Sequence, residues 1–438
     1  MTMSMNARTV QSTIVSPPIR RPFWVRTTEI PDPGDLTALL PSASSALAWV
    51  RGREGMVGWG RLAVVQTLGQ DRFAAAQAAW GQLLAGANVV DEVGLPGTGA
   101  VAFTSFTFDA SADRSVLIVP RFVVGRRGGR SWITELGTEA TAPAPPPIPR
   151  GAVGGHPAQL GPGKFEPLGE LGRPRWGAGT ISADAYRSAV AAASGRMREG
   201  RLAKVVLARD LLAQFDSPVD VRRVLAGLTG RYDRCWTYAV DGLVGVAPEM
   251  LLAKRGKVLE SRVLSRITSP AVDATRVRGE HRFAVKSLRA TMNRFCTTMS
   301  VMTEESQQNS LPPGGCTQHL TTDIRGVLDD RAAPSVLRLV AQIHPTEAVG
   351  GRPARLAAAT TAKIEGSLGL SRGRYAGPIG WIDAFGDGEF GIALQCAHLS
   401  ARSARLFAGC RVMAGSDPET ELAESTVKFH ALAEILGA

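Results

Sequence analysis

Ser416-Asp417-Pro418-Glu419-Thr420-Glu421-Leu422-Ala423-Glu424-Ser425-Thr426-Val427-Lys428 reads as a capped helix with a charged constellation on one side. Asp417 is a natural N-cap, and Pro418 suits the first helical position, where a missing N–H costs nothing. From that start Glu421, Glu424 and Lys428 fall at i, i+3 and i+7 and share one face. Leu422, Phe429, Leu432 and Ile435 offer apolar side chains for packing. Two carboxylates one turn apart repel each other unless a cation lies between them, and a hard divalent ion such as Mg²⁺ is the usual answer. The plainer reading is a solvated terminal helix with an i, i+4 pair between Glu424 and Lys428.

Working outward, the chain of 438 residues is 44% hydrophobic and 6% aromatic, ample for a sizeable core in one large domain or two. No run approaches a membrane span, and the first twenty-odd residues lack the apolar segment of a secretory signal. A soluble, cytoplasmic protein without a membrane partner is expected, as a monomer or weak oligomer. Five cysteines without a CxxC pair and six scattered histidines argue against a disulfide framework and against a zinc site. The net charge of +11 favours anionic partners. The basic residues are dispersed, however, and no nucleic-acid-binding signature interleaves them with aromatics. No Walker loop and no GxGxxG supports nucleotide binding.

Residues 1–22 lack periodicity and read as a disordered tail. The segment 23–140 forms an N-terminal part of the fold, in which Ser115 to Ile133 reads as a hairpin around Gly125-Arg126-Arg127-Gly128-Gly129. A Pro/Gly-rich connection follows over 141–177. The remainder, 178–438, opens with a helix capped at Ser182 and stopped near Gly200, then a strand from Lys204 to Leu212. Further strands are expected at 236–247, 375–382, 392–399 and 405–410. Helices are expected at 219–229, 280–302, 335–342, 355–367 and 419–436. This order implies an α+β fold with large antiparallel sheets flanked by helices.

Two ionisable residues stand at strand ends. Lys204 opens Leu202-Ala203-Lys204-Val205-Val206-Leu207-Ala208-Arg209, where apolar neighbours would desolvate it, lower its pKa and make it a usable base. Glu249, in Ala247-Pro248-Glu249-Met250-Leu251-Leu252, ends an apolar strand where burial would raise its pKa toward that of a useful acid. Taken singly, either is more often an ordinary surface residue.

With Ile343-His344-Pro345-Thr346-Glu347-Ala348-Val349-Gly350-Gly351 and Gly373-Arg374-Tyr375-Ala376-Gly377, these segments resemble the chorismate-utilising enzymes, most closely the isochorismate synthases. The motifs run from about Ile181 to the C-terminus, and Val93-Gly94-Leu95-Pro96-Gly97 resembles actinobacterial members more loosely. The resemblance implies the chorismate-binding fold and Mg²⁺-dependent conversion of chorismate to isochorismate, for menaquinone or siderophore supply. It places Lys204 as the base that activates water for attack at C2, and Glu249 as the acid that protonates the departing C4 hydroxyl. It places the metal on Glu280 and Glu424, with Glu421 close by, and substrate contacts on His344, Thr346, Tyr375, Gln395, Gly409 and Lys428. Anthranilate synthases lack the lysine, so oxygen chemistry is implied. Salicylate synthases keep it, but their loop does not read His-Pro-Thr, which leaves a salicylate product as the alternative, beside a weakly active or inactive chorismate-binding homologue.

Four features depart from the family pattern. Leu264-Ser265-Arg266-Ile267-Thr268 stands where Leu-Ala-Gly-Thr or Leu-Ala-Gly-Ser is usual, and the stretch from Ser269 to Arg278 is short. Gln395 replaces an arginine that pairs with a substrate carboxylate, a loss commonly worth about 1.5 to 3 kcal/mol. Arg411 occupies the second glycine of an Ala-Gly-x-Gly strand end, where it either supplies a replacement cation or fills the pocket.

Overall fold

The run from Lys204 to Gln214 is apolar on both faces, and buried backbone groups need partners, so such a strand must pair on both sides. The structure, a computed structural model, describes residues 13–16, 23–43, 45–110, 113–138, 165–200, 202–267, 274–309, 316–329 and 334–437. In it Lys204–Gln214 lies inside a thirteen-stranded sheet, flanked by Ser403–Val412 on one side and by two short strands, Gly351–Arg352 and Arg175–Ala178, on the other. Beyond Ser403–Val412 come Gln395–Ser400, Leu243–Ala247, Trp236–Val240 and Leu47–Arg51. A ten-stranded antiparallel sheet carries Val101–Ser105, Pro378–Asp383, Gly388–Ile392, Met250–Arg255 and Val258–Ile267 in neighbouring positions. Leu47–Arg51 pairs with Trp236–Val240, and Val101–Ser105 pairs with Pro378–Asp383. Both sheets therefore mix segments from before residue 139 and after residue 164, and Arg175–Ala178, within the expected 141–177 connection, is itself a strand.

Seven α-helices flank the sheets among the described residues: α1 Arg72–Leu84, α2 Ala183–Arg198, α3 Val221–Arg231, α4 Ala274–Met292, α5 Val336–Ile343, α6 Ala354–Ser367 and α7 Pro418–Ile435. The caps are those expected: Ser182 accepts from Ala185 N at 3.2 Å, and Asp417 accepts from Thr420 N at 2.9 Å. Trp49, Phe103, Phe106, Trp80 and Trp381 lie in one buried cluster, while Leu225, Leu228, Phe429 and Leu432 anchor a second where α3 and α7 cover the thirteen-stranded sheet. None of these helices is long and apolar enough to cross a membrane.

Several expected elements are revised. The helix expected over 280–302 starts earlier, at Ala274, and ends at Met292. The β-branched Thr297, Thr298, Val301 and Thr303 then run in the strand Cys296–Asn309, paired to Cys316–Leu328. The single strand expected over 236–247 is a hairpin turning at Asp241-Gly242, with φ of 50° and 79°, as a type I′ turn requires. The expected strand 392–399 is interrupted at Ala393 and Leu394, where the chain leaves one sheet for the other. Tyr375 lies in the turn before Pro378–Asp383 rather than in that strand. Within the expected tail, Thr13–Ser16 pairs with Ala63–Thr67; residues 1–12, 17–22 and 139–164 lie outside the described residues.

Two passages between the sheets shape the site. Leu243–Ala247 belongs to the thirteen-stranded sheet and Met250–Arg255 to the ten-stranded one, with Glu249 in the turn between them. Gly388–Ile392 and Gln395–Ser400 make the same exchange in the opposite direction, placing Gln395 at the second passage.

Candidate active site

Lys204 begins its strand opposite Arg352, while Gly351, with a φ of 136°, presses against its backbone. A Cβ on Gly351 would lie 2.3 Å from Lys204 O, so the glycine permits this close approach. Burial, reinforced by the Arg411 charge, lowers the Lys204 pKa to about 8, against the opposing pull of Glu347 and Glu249. A substantial fraction of the amine is then neutral near physiological pH, the state a base requires. Glu249 is half-buried, and its charge acts on Lys204.

A buried ion pair that the sequence did not single out steadies this strand. Arg372 Nη2 donates to Val206 O at 2.6 Å and to Glu365 Oε1 at 2.7 Å, and Ala208 N donates to the same carboxylate oxygen at 2.8 Å. The pair thereby satisfies backbone groups between the two short flanking strands. Glu365 lies near the end of α6 and Arg372 follows it by seven residues, across the turn after the helix, so this pair was within reach of a local reading. Glu347 carries no such signal: its effect on Lys204 arises only once its loop folds back beside that strand.

Substrate-contact candidates divide into two groups. Thr346 Oγ1 and Gln395 Oε1 are buried without a hydrogen-bond partner among the described residues. Tyr375 is buried and stacks on Phe407, with ring centroids 5.2 Å apart. Its hydroxyl would lie 2.7 Å from a Cβ on Gly409, so glycine at 409 leaves that approach open. Lys428 Nζ donates to Gly409 O at 2.8 Å and pairs with Glu424 at 2.7 Å.

His344, expected as a substrate contact, is buried, with one ring nitrogen engaged and Nδ1 without a hydrogen-bond partner among the described residues. Its Nε2 lies 2.8 Å from Phe108 O, and its ring meets Phe108 edge-on and packs beside Phe73. Burial lowers its pKa to about 4, from the usual 6.5. The unfolded chain therefore takes up the proton first, and the stability attached to the neutral ring is lost as pH falls from 6.5 through 4, by about 3 kcal/mol. His344→Gln is expected to flatten the acid limb of thermal stability in that window. A slope identical to that of the parent chain would remove His344 as its source.

The expected metal carboxylates fall into two sets. Donor atoms of Glu421, Glu424 and Cys410 lie within 4.8 Å of one another. Glu421 is mostly buried and accepts from Ser416 Oγ at 2.7 Å, while its Oε2 is buried without a hydrogen-bond partner. Hard carboxylate oxygens, one of them lacking a partner, fit a Mg²⁺ ion. Cys410 does not, because burial raises its thiol to about 11 and keeps it protonated. Glu280 is outside this cluster and forms an ion pair with Arg411. Its helix is held by His281, whose ring nitrogens lie 2.9 Å from Ser265 Oγ and 2.7 Å from Thr322 Oγ1. Ser265, a departure in the sequence, thus has an anchoring role; the Arg266 side chain lies outside the described residues.

Comparison with known proteins converges on one family. The model described as "Chorismate binding enzyme" matches residues 47–437. Isochorismate synthase DhbC of Bacillus subtilis is 32% identical over 278 residues, covering 58% of this chain and 67% of that protein. The salicylate biosynthesis isochorismate synthase of Pseudomonas aeruginosa is 28% identical over 418 residues, covering 90% and 85%. Among solved structures, the menaquinone-specific isochorismate synthase MenF of Escherichia coli shares the fold with a TM-score of 0.71 at 23% identity, covering 95% of each chain. The chain therefore belongs to the chorismate-binding enzymes, and the relatives named here are isochorismate synthases.

Proposed function

We propose that this enzyme converts chorismate to isochorismate. The observation that carries the reading is a buried lysine of lowered pKa, coupled to the carboxylate of Glu249, where the chain passes between the sheets. Neutral Lys204 removes a proton from water as its oxygen bonds to C2. The ring double bonds shift, and the C4 hydroxyl leaves as water with a proton from Glu249. One water enters and one departs, so the product is an isomer. Tyr375 and Gln395 line the ring's binding place, Thr346 offers its hydroxyl, and Gly409 leaves space beside Tyr375. Glu421 and Glu424, together with Glu280, would hold Mg²⁺, which when bound supplies positive charge against the substrate's ring carboxylate. The product would serve menaquinone or siderophore assembly.

Purified protein incubated with chorismate and Mg²⁺ is expected to yield isochorismate on chromatographic separation. Salicylate as the first product, or no turnover at all, would overturn the reading. Glu424→Gln is expected to weaken Mg²⁺ binding about tenfold in a calorimetric titration, since a charged oxygen donor becomes a neutral amide. Unaltered affinity would move the ion elsewhere.

A further inference from the structure

Arg411 stands opposite Val206 in the paired strands, and Val206 lies two residues beyond Lys204. Side chains two apart on a strand share a face, as do directly opposed residues, so Lys204 and Arg411 emerge on the same side. Gly409, two residues before Arg411, lies on that side too, below the Tyr375 hydroxyl. The guanidinium forms an ion pair with Glu280, and its charge acts on both Lys204 and Glu421. Arg411 is therefore on the same face as the base and ion-paired to one of the expected metal carboxylates.

Other nearby cations have firm engagements. Lys428 holds Glu424 and Gly409 O; Arg372 holds Glu365 and Val206 O. Arg374 donates to Val240 O and Asp241 O, and Arg352 lies 3.8 Å from the Phe283 ring centroid. Gln395 brings no charge to the passage between the sheets. A dianionic ligand entering there needs positive charge, and a guanidinium has five N–H donors, enough to serve two carboxylates at once.

We propose that Arg411 is a tethered cation of the active site, holding Glu280 and receiving a carboxylate of the bound substrate, in competition with a divalent ion for Glu280. The substrate half of this inference rests on the chorismate reading above; the competition at Glu280 does not. The expected consequence is an anion site that persists when divalent ions are removed.

Calorimetric titration of the full chain separates the two halves. Wild type is expected to bind chorismate in EDTA within about threefold of its affinity in Mg²⁺. Arg411→Gly is expected to lose about tenfold or more in EDTA, the scale of a charge-assisted bidentate contact, and to recover when Mg²⁺ is added. Without chorismate, the same variant is expected to bind Mg²⁺ about tenfold more tightly than wild type, because Glu280 is released. Arg411→Met repeats both titrations with a side chain of comparable reach, guarding against a loosened strand. A wild type that loses chorismate affinity tenfold in EDTA, or variants that bind it there as well as wild type, would overturn the substrate contact. Variants with unchanged Mg²⁺ affinity would overturn the competition. Chorismate failing to bind wild type in either condition would overturn the chorismate reading and the substrate contact with it, while the Mg²⁺ titrations would still decide the pairing with Glu280.

Discussion

Lys204→Ala is expected to lower kcat for isochorismate formation by about 10²- to 10⁴-fold, the range for loss of a general base, while leaving thermal stability equal or slightly higher. The stability side follows because burial disfavours the ammonium that alanine removes. Substrate affinity should change little, since the carboxylates of chorismate are engaged elsewhere in the site. Wild-type kcat/KM should rise with pH through about 8, because only the neutral amine accepts a proton and the protonated form dominates below that value. Chromatographic rate measurements across pH, with a melting curve for each variant, test all three expectations. Near-normal turnover by Lys204→Ala would eliminate the lysine as the base and leave its lowered pKa as a consequence of packing alone.

Glu249→Gln should cost a similar factor, about 10²- to 10⁴-fold in kcat, because hydroxide is a poor leaving group and the amide has no proton of suitable acidity to give. Glutamine preserves the shape of the side chain, so chorismate binding and the melting temperature should remain close to wild type. Single-turnover kinetics check the loss of kcat. Full activity would transfer the acid role to another group.

Local chemistry is strong in the segments that were read correctly. The α7 cap at Asp417, the α2 cap at Ser182 and the strand beginning at Lys204 each follow from side-chain hydrogen bonding or apolar patterning within a few residues. The desolvation of Lys204 was legible too, because its apolar neighbours adjoin it in the chain. The 236–247 hairpin could have been found from Asp241-Gly242, a turn pair whose backbone freedom outweighs the apolar run around it. The strand Cys296–Asn309 was obscured by residues that read acceptably as the end of a helix, until pairing with Cys316–Leu328 supplied the ladder that makes a strand worthwhile.

Local pattern was enough for the capped carboxylate helix and the α+β alternation, since each depends on neighbours in sequence. Which charges meet was left to the folded chain. Glu280 and Arg411, and Lys204 and Glu347, are far apart in sequence and meet only in the folded chain. His344 went into the core for the same reason, because Phe108 and Phe73, distant in the chain, form the surroundings that hold its ring neutral. Electrostatic coupling falls off with spatial separation and rises with burial, and both quantities exist only once the tertiary structure has formed.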